Sequence, residues 1–460
     1  MTVQSELKPI AFSQREIIAR LERLPISAWQ AKIRVIVGAA TFFDAFDALA
    51  IAFILPAIIH LWKLAPAQIG MVISIGYVGQ LIGALAGGWL AERIGRRPVV
   101  IVSVLWFGLL SVACALSWSF GALMAFRFLQ GLGLGAEVPV AATYISELAK
   151  AKSRGRFVLL FELIFPVGIL MAALLGRWIV PNLGWQYMFY VGGVPALLGL
   201  FMLRHIPESP RWLASRGRLA EASASLRLIE SRVQESTGAA LPPPLEDTAP
   251  EMEQQSASWG DVFGGIYLSR TLVLWVCWFS TYLANYGLTI WLPSVYVQVF
   301  KLPLGQALSY GLISSALGLL SSFVCAMLID RVGRKLWFSM AFLGSSASLL
   351  LLWWIGPTSA ERVFVLTTIS FLFLSTMSLA LYLYTAELYP TRARAIGTGA
   401  ATAWLRIASI IGPLVVGFFV ARGGLSAVFL LFGLACLIAF FVVTLFGRET
   451  GERVLEEISP

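Results

Sequence analysis

The sequence predicts an all-α polytopic membrane protein whose twelve transmembrane helices form two pseudo-symmetric bundles of six. Of its 460 residues, 58% are hydrophobic and 13% are charged, whereas a soluble domain carries roughly 25% charged residues. The mean hydropathy is +0.81. Runs of about twenty apolar residues, enough to cross a hydrocarbon core of about 30 Å, recur through the chain. Their length, without the alternating pattern of a porin strand, favours helices.

Six apolar runs precede a polar segment and six follow it. The first set lies near 34–59, 69–90, 98–118, 121–147, 157–180 and 185–204, and the second near 270–299, 305–328, 336–355, 361–386, 395–420 and 424–446. They predict a tail at 1–33, a first bundle at 34–204, a central loop at 205–268, a second bundle at 269–446 and a tail at 447–460. Within the loop, 211–235 predicts amphipathic surface helices and 236–258 a flexible linker.

Basic residues are distributed unequally between the loops. The two tails and the even-numbered loops carry 27 of the 34 Lys and Arg residues, and the odd-numbered loops carry five. By the positive-inside rule, both termini and the central loop are expected in the cytoplasm. This asymmetry explains the net charge of +9, so no nucleic-acid partner is expected. The polar first tail shows no removable signal peptide, and the first span is expected to anchor the chain in a cytoplasmic (inner) membrane.

Two motifs repeat between the halves at nearly one offset. The loop at 88–97 after the second span matches 326–335 after the eighth span, 238 residues later. A Glu-Leu pair with an arginine seven residues beyond the glutamate closes both the fourth and the tenth span, at an offset of 240. The agreement indicates a duplicated six-helix unit, which in many transporters places the site at the interface between the halves.

The loop at 88–97, Gly-Trp-Leu-Ala-Glu-Arg-Ile-Gly-Arg-Arg, resembles the signature between spans two and three of the major facilitator superfamily. It departs from that signature at Glu92, where aspartate is usual. A carboxylate at the end of one helix can hold arginines and a helix N-terminus of the neighbouring bundle, and so keep one access state closed. Alternatively, the arginines only determine topology. The candidate cytoplasmic gate residues are Gly88, Glu92, Arg93, Gly95, Arg96, Arg97, Glu147, Arg154, Asp330, Arg331, Arg334, Glu387 and Arg394.

Other motifs are similar to the branch of this superfamily that includes sugar porters, organic ion transporters and synaptic vesicle glycoprotein 2. They are the segments 127–139, 147–156, 207–212 and 387–394. Within the branch, Gly-Leu-Gly-Leu-Gly-Ala-Glu-Val-Pro-Val at 131–140 and the run 384–397 look most like bacterial niacin transporters and related metabolite:proton symporters. The first outer loop, near 60–68, is short, unlike the large ectodomain of animal organic ion transporters, and favours a bacterial protein.

Ionisable side chains inside apolar runs are the candidates for proton coupling. A charge in hydrocarbon costs roughly 2.5–3.5 kcal/mol or more, so it persists beside a partner, a ligand or water. Asp44 and Asp47 lie on one face of span one, and each can alternate between a neutral and an ion-paired state. The resemblance to proton-coupled sugar porters implies that Asp47 pairs with Arg127, although a permanent structural ion pair is the alternative. Glu137 and Glu162 are candidates for a second proton site, a ligand contact or part of the gate.

Arg406, near mid-depth in span eleven, is the first candidate for substrate binding. The resembled organic anion transporters place an arginine there, and organic cation transporters an aspartate. A guanidinium offers a planar fork suited to a carboxylate, although a carboxylate of the other half is an alternative partner. By the same resemblance, Asn285 and Tyr286 occupy the place of a Tyr-Tyr pair that contacts the ligand in organic anion transporters. The remaining pocket candidates are Tyr282, Trp278, Phe46, Phe165 and Tyr384, although most aromatic residues of membrane proteins only pack or face lipid.

The sequence does not contain the residue patterns that are typical of several kinds of chemistry. The chain has two histidines, no Cys-x-x-Cys and no Walker loop, so we expect no enzyme, no metal and no cofactor. The four cysteines lie inside spans, where they behave as small apolar residues. The glycines at 131, 133 and 135 follow no strand, which excludes a dinucleotide loop and favours close helix packing.

The residues and the resemblance together predict a monomeric secondary transporter in a lipid bilayer. It is expected to work by alternating access and to import a small aromatic monocarboxylate with protons, with nicotinate as the first candidate. A hydroxybenzoate or a sugar-like solute is the alternative within transport. A sensor that binds a ligand without net flux is the alternative class.

Overall fold

The structure, a computed structural model, describes residues 13–25, 27–148, 164–243, 259–389, 394–422 and 424–450. Within these residues every regular element is a helix. The helices up to the central segment are α1 (Gln14–Glu22), α2 (Ala28–Trp62), α3 (Pro66–Ile94), α4 (Arg96–Ala115), α5 (Phe120–Leu148), α6 (Ile164–Asn182), α7 (Gln186–Gly192), α8 (Pro195–His205), α9 (Pro210–Ser215) and α10 (Leu219–Thr237). They are followed by α11 (Trp259–Phe263), α12 (Ile266–Gln298), α13 (Leu304–Val332), α14 (Arg334–Ile355), α15 (Ala360–Leu388), α16 (Arg394–Ala421) and α17 (Leu425–Phe446).

The predicted fold class is confirmed. Ten helical segments are long and apolar enough to cross a membrane, if α7 and α8 are taken as one segment. Two other helices, α5 with 29 residues and α12 with 33 residues, are also long enough to cross a membrane. Together they make twelve spanning segments in the described part of the chain.

Two helix boundaries differ from the apolar runs. α2 begins at Ala28, inside the predicted tail, because Ser27 caps it. The Ser27 hydroxyl accepts a hydrogen bond from the N–H of Gln30, and the Gln30 side chain accepts one from the N–H of Ser27. The sixth span is interrupted after Gly192 and resumes at Pro195, since a proline cannot donate to the preceding turn and fits the first turn of a new helix.

Glycines bring α3 and α5 into close contact. A Cβ atom at Gly79 would overlap the carbonyl of Phe128, and one at Gly135 would overlap the carbonyl of Gln80. Backbones that approach this closely exclude any side chain at these positions. The packing role predicted for the glycine run of the fourth span is therefore confirmed.

The two bundles touch at the end of the molecule remote from the termini. There the Ser74 hydroxyl of α3 donates to the carbonyl of Ile410 in α16 at 2.7 Å. The Nε of Arg177 in α6 donates to the hydroxyl of Ser309 in α13 at 2.7 Å. Arg177 and Ser309 adjoin the α6–α7 and α12–α13 connections, so the bundles are in contact at that end.

The predicted helices of the central loop are present as α9 and α10, and the apolar face of α10 is covered by α1 and α2. In α1, Ile17 and Leu21 are buried in this contact. Arg20 and Arg23 pair with Glu230 of α10 at 2.5 and 2.7 Å. The predicted tail at 1–33 thus contains a docked helix, while most of the predicted linker, 244–258, lies outside the described residues.

Candidate functional site

A cavity lies between the bundles, lined by α2, α3, α5 and α6 on one side and by α12, α13, α15 and α16 on the other. This is the position that a duplicated architecture predicts for a binding site. Apolar side chains such as Val138, Phe165 and Phe371 form part of the wall. The polar lining residues are Thr41, Asp44, Tyr77, Gln80, Tyr282, Asn285, Tyr286, Ser315, Ser322, Ser375, Ser378, Tyr382 and Arg406.

Two side chains of opposite charge face this cavity from opposite bundles. Arg406 of α16 is half-buried, and its buried Nε atom has no hydrogen-bond partner among the described residues. Asp44 of α2 is buried and near enough to Arg406 for their charges to interact. Neither side chain forms a salt bridge with another residue that the structure describes. Permanent pairing of Arg406 with a carboxylate of the first bundle is therefore not seen among those residues.

Aromatic rings form a wall that continues from one bundle to the other. Tyr77 of α3 stacks on Tyr286 of α12, with ring centroids 5.4 Å apart and an interplanar angle of 23°. Tyr282 lies 5.4 Å from Tyr286 on the same helix. The buried hydroxyl of Tyr77 has no hydrogen-bond partner in the part of the chain that the structure describes, so it is available to a ligand. Sequence reasoning missed Tyr77, because an uncharged tyrosine in an apolar run carries no signal of its direction.

Asn285 reaches the cavity, but its amide already has partners. Its Nδ2 donates to the Ser378 hydroxyl at 3.3 Å, and its Oδ1 accepts from the Thr289 hydroxyl at 3.3 Å. The Thr289 hydroxyl also donates to the backbone carbonyl of Asn285. A ligand that contacts Asn285 must therefore replace one of these hydrogen bonds.

Three aromatic residues assigned to the pocket from the sequence lie outside its wall. Phe46 is fully buried in the helix core. Trp278 stacks behind Tyr282, with centroids 5.6 Å apart. Tyr384 donates a hydrogen bond to the backbone carbonyl of Arg448 at 2.7 Å. The assignment of these three residues is corrected: aromatic rings fill both the core and the cavity wall of a membrane protein, and hydropathy does not separate the two.

Asp47 and Arg127 form a buried ion pair between α2 and α5. Arg127 Nη1 lies 2.6 Å from Asp47 Oδ2, and Gln130 bonds to both partners, donating to Asp47 Oδ1 and accepting from Arg127 Nη1, each at 2.9 Å. Asp47 and Asp44 point about 60° apart around α2, so Asp47 faces α5 while Asp44 faces the cavity. Sequence reasoning missed Gln130, although its polar side chain lies one turn beyond Arg127.

Glu137 is fully buried in α5 and does not line the cavity itself. Its Oε1 accepts a hydrogen bond from the Thr41 hydroxyl at 3.3 Å, and Thr41 does line the cavity. Glu137 is thus one hydrogen bond away from the site. Glu162 lies outside the described residues.

The motif after the second span forms a cluster within its own bundle. Arg96 at the start of α4 pairs with Glu92 at 2.7 Å and with Glu147 at 3.1 Å. In the second bundle, Arg334 at the start of α14 pairs with Glu387 at 2.9 Å. We expected Glu92 to hold a helix of the neighbouring bundle. In this conformation that expectation is wrong, because Glu92 pairs with Arg96 and Arg216. The ion pairs of Arg96 and Arg334 join residues of one bundle in each cluster, and the two bundles touch at the opposite end, where Arg177 contacts Ser309.

The remaining candidate gate residues surround these two clusters. Gly95 adopts a φ of 112°, which a residue with a side chain rarely adopts, where the chain turns from α3 into α4. The other contacts or positions are as follows: Gly88 is half-buried, Arg93 lies 4.0 Å from the centroid of the Trp89 ring, Arg97 donates to the Leu203 carbonyl at 2.6 Å, Asp330 pairs with Arg334 at 2.9 Å, and Arg331 is exposed. Arg154 and the side chain of Arg394 lie outside what the structure describes.

A glutamate caps the helix that follows each cluster, and sequence reasoning assigned no role to either. Glu208 accepts from the first two N–H groups of α4 at 3.1 and 3.2 Å. Glu449 accepts from the first two N–H groups of α14 at 2.8 and 3.0 Å. A carboxylate here satisfies free helix donors and complements the helix dipole. Burial raises the pKa of Glu208, against the opposing effect of its backbone hydrogen bonds.

A tyrosine fixes the chain beside each of these glutamates. Tyr144 donates to the carbonyl of Pro207 at 2.8 Å, just as Tyr384 donates to that of Arg448. The two tyrosines are 240 positions apart in the sequence. Tyr384 therefore has a structural counterpart in the first bundle, and the duplication extends beyond the two motifs that revealed it.

Comparison with known proteins agrees with this architecture. Residues 44–460 match the family described as sugar (and other) transporters. The niacin transporter of Acinetobacter baylyi is 35% identical over 451 residues, which cover 96% of this chain and 99% of that protein. The 4-hydroxybenzoate transporter of Pseudomonas aeruginosa is 29% identical, over 87% of this chain and 89% of that protein.

A solved structure shares the fold. The crystal structure of a D-xylose–proton symporter superposes with a TM-score of 0.72 at 19% identity, covering 93% of this chain and 100% of that chain. A sequence identity of 19% supports a shared fold only, so the transported solute of this chain is inferred from its cavity.

Proposed function

Because the chain belongs to the sugar (and other) transporter family of the major facilitator superfamily, it is a membrane transporter and not an enzyme, and we propose that it imports a small aromatic monocarboxylate with protons. Nicotinate is the leading substrate. The observation that carries this proposal is Arg406, a guanidinium on the cavity wall without a salt bridge to any described carboxylate.

A carboxylate ligand would supply what Arg406 lacks. An unpaired cation away from bulk water is costly, and a planar guanidinium binds a carboxylate through two parallel hydrogen bonds. The buried Nε of Arg406, which has no acceptor, is one of the donors available for such a contact. The rings of Tyr77, Tyr286 and Phe165 supply flat apolar surfaces on which an aromatic ring can pack.

The relatives support the same class of solute. One is a niacin transporter and another a 4-hydroxybenzoate transporter, and both solutes are small aromatic acids. A hydroxybenzoate remains the second candidate, since the hydroxyls of Ser315, Ser322 and Ser375 on the second-bundle side offer partners for a phenol. A sugar-like solute is less well served by a cavity that presents a guanidinium.

Proton coupling is assigned to the carboxylates of the first bundle. In this proposal Asp47 alternates between its ion pair with Arg127 and a protonated state, and Glu137 lies close enough to the cavity to relay a proton through Thr41. Exchange of Asp47 between these states changes how α2 and α5 are held together, which links protonation to the movement of the bundles.

The proposed orientation follows the distribution of basic residues. With both termini in the cytoplasm, the end at which Arg177 contacts Ser309 is the outer one, and we propose that the described conformation is inward-facing. We place the protein as a monomer in a bacterial inner membrane.

Binding of nicotinate to Arg406→Ala tests this proposal. Loss of one partner of a desolvated charge pair costs about 2–5 kcal/mol, so the affinity should fall about 30-fold or more. Arg422→Ala is the matched control, since Arg422 is exposed and lies 3.8 Å over the Phe418 ring, away from the cavity. Asn285→Ala and Tyr286→Ala should weaken binding less. Unchanged affinity in Arg406→Ala would show that the carboxylate is bound elsewhere.

Uptake into proteoliposomes separates transport from sensing. A transporter accumulates labelled nicotinate when a pH gradient is imposed, whereas a sensor binds the same ligand and accumulates none. Binding without uptake would therefore favour the sensor.

A further inference from the structure

Asp44 is a buried carboxylate on the cavity wall that has no partner within the described residues. Asp44 is 7% exposed and faces the cavity from α2. Asp47, three residues later, accepts hydrogen bonds at both oxygens. Buried carboxylates are normally paired or hydrogen-bonded. An unpartnered one that faces a cavity indicates a ligand group that arrives from outside.

The position of Asp44 relative to Arg406 limits what that group can be. The two residues lie on opposite bundles and line the same cavity without forming a salt bridge. A ligand that reaches both must present an acidic group to Arg406 and, on another side, an atom that can share a proton with a carboxylate. A plain aromatic acid meets only the first requirement.

Resting on the proposed function, we propose that Asp44 binds a basic ring nitrogen of the substrate, so that the site selects N-heteroaromatic carboxylates over carbocyclic ones. One proton lies between the Asp44 oxygen and the ring nitrogen, while Arg406 holds the substrate carboxylate. The substrate then bridges the two bundles through a charge-assisted contact at each end. Discrimination of this kind is strong, because an analogue without the nitrogen leaves a buried polar group unpaired.

Two other side chains could contact a ring nitrogen, and both are weaker candidates. The amide of Asn285 is engaged with Ser378 and Thr289. The hydroxyl of Tyr77 has no hydrogen bond to any described residue, but the Tyr77 ring stacks on Tyr286 and so packs against the second bundle. Asp44 carries the greater cost if it is left unpaired, because a carboxylate is harder to bury than a phenol.

The test compares nicotinate with benzoate, which has the same shape without the nitrogen. Affinities are measured by titration calorimetry on the purified full-length protein. The wild type should bind nicotinate about tenfold more tightly than benzoate, or better. Asp44→Ala should bring this ratio close to one, because nicotinate loses its contact with Asp44 and benzoate no longer leaves that carboxylate unpaired. Asp44→Asn should retain part of the preference, since an amide N–H can still donate to the ring nitrogen.

Other outcomes would overturn the inference or its premise. Equal affinity of the wild type for the two acids, or an unchanged preference in Asp44→Ala, would remove Asp44 from this role. If Tyr77→Phe abolishes the preference and Asp44→Ala does not, the tyrosine reads the nitrogen. Arg406→Ala should weaken both acids equally. Failure of the wild type to bind either acid would refute the proposed function, and the inference would fall with it.

Discussion

Neutralising Asp47 tests the buried ion pair in most detail, because the geometry of its partners is fully defined. Both carboxylate oxygens are used: Oδ1 accepts from Gln130 and Oδ2 accepts from Arg127. In Asp47→Asn, one of these oxygens becomes an NH₂ group, which would face a donor. Rotating the Gln130 amide does not solve the conflict, since its own oxygen already accepts from Arg127. Only a carboxylate satisfies this network.

The expected cost follows from burial. The side chains of Asp47 and Arg127 are 3% and 4% exposed, so the substitution leaves the guanidinium without a counter-charge and without access to water. Removal of one partner of a buried pair destabilises a protein by about 3–5 kcal/mol. The double variant Asp47→Asn/Arg127→Gln removes the unpaired charge as well. It should be more stable than the sum of the single effects by about 2 kcal/mol.

Thermal unfolding of the wild type, the two single variants Asp47→Asn and Arg127→Gln, and the double variant measures the interaction energy between the two residues. Transport assays measure its consequence. Asp47→Asn should lose accumulation driven by a pH gradient and keep counterflow, because exchange requires no net proton movement. If Asp47→Asn is as stable as the wild type, the buried-pair argument is wrong. If it still accumulates substrate fully, the coupling role passes to Asp44 or Glu137, and single variants of those residues decide between them.

Three further predictions concern packing and the ends of helices. Gly83→Ala should destabilise the protein by about 1–3 kcal/mol, because the new Cβ would overlap the α5 backbone. The control Gly88→Ala, whose new Cβ would meet open space, should be neutral or stabilising by up to about 1 kcal/mol. Equal shifts of the thermal unfolding temperature in the two variants would contradict the packing argument. Burial raises the pKa of Glu230, but its partners Arg20 in α1 and Arg23 just after it outweigh this effect and hold the pKa below its usual value. The contribution of Glu230 to α1 docking is therefore present above the pKa of the unfolded state and is lost as the pH falls through the pKa of the folded state. Hydrogen exchange in α1 of the wild type should show this loss. In Glu230→Gln, α1 docking should already be weakened at neutral pH, and the exchange should show no such pH-dependent step. Glu449→Gln should loosen the first turn of α14 by about 0.5–1 kcal/mol, seen as faster amide exchange there, and unchanged exchange would mean that the cap contributes nothing.

The sequence alone determined the helices and their duplication. The twelve apolar runs predicted the spanning segments, and the repeated motifs after the second and eighth spans predicted two equivalent halves. Charges in apolar runs also led directly to Asp44, Asp47, Arg127 and Arg406, since a charge in a span is too costly to be incidental. The resemblance to sugar porters implied the pairing of Asp47 with Arg127, and the structure forms that pair.

Only the tertiary structure showed which face of each spanning helix lines the cavity. In a membrane protein both the lipid-facing and the core-facing surfaces are apolar, so the hydropathy period does not show which face is inside. Phe46 and Trp278 were for this reason taken for pocket residues although they pack in the core, while Tyr77, which lines the cavity, was missed.

Contacts between distant segments were equally beyond the sequence. Glu208 and Glu449 stand in turns, where a glutamate is unremarkable until the chain folds back and places it on the N-terminus of another helix. Gln130 is neutral, and its importance comes from two partners that the fold brings within 2.9 Å. Asp44 and Asp47 look alike as a pair of aspartates one turn apart. The arrangement of the neighbouring helices gives Asp47 an arginine partner and leaves Asp44 facing the cavity, because a rotation of about 60° around α2 separates the two surroundings.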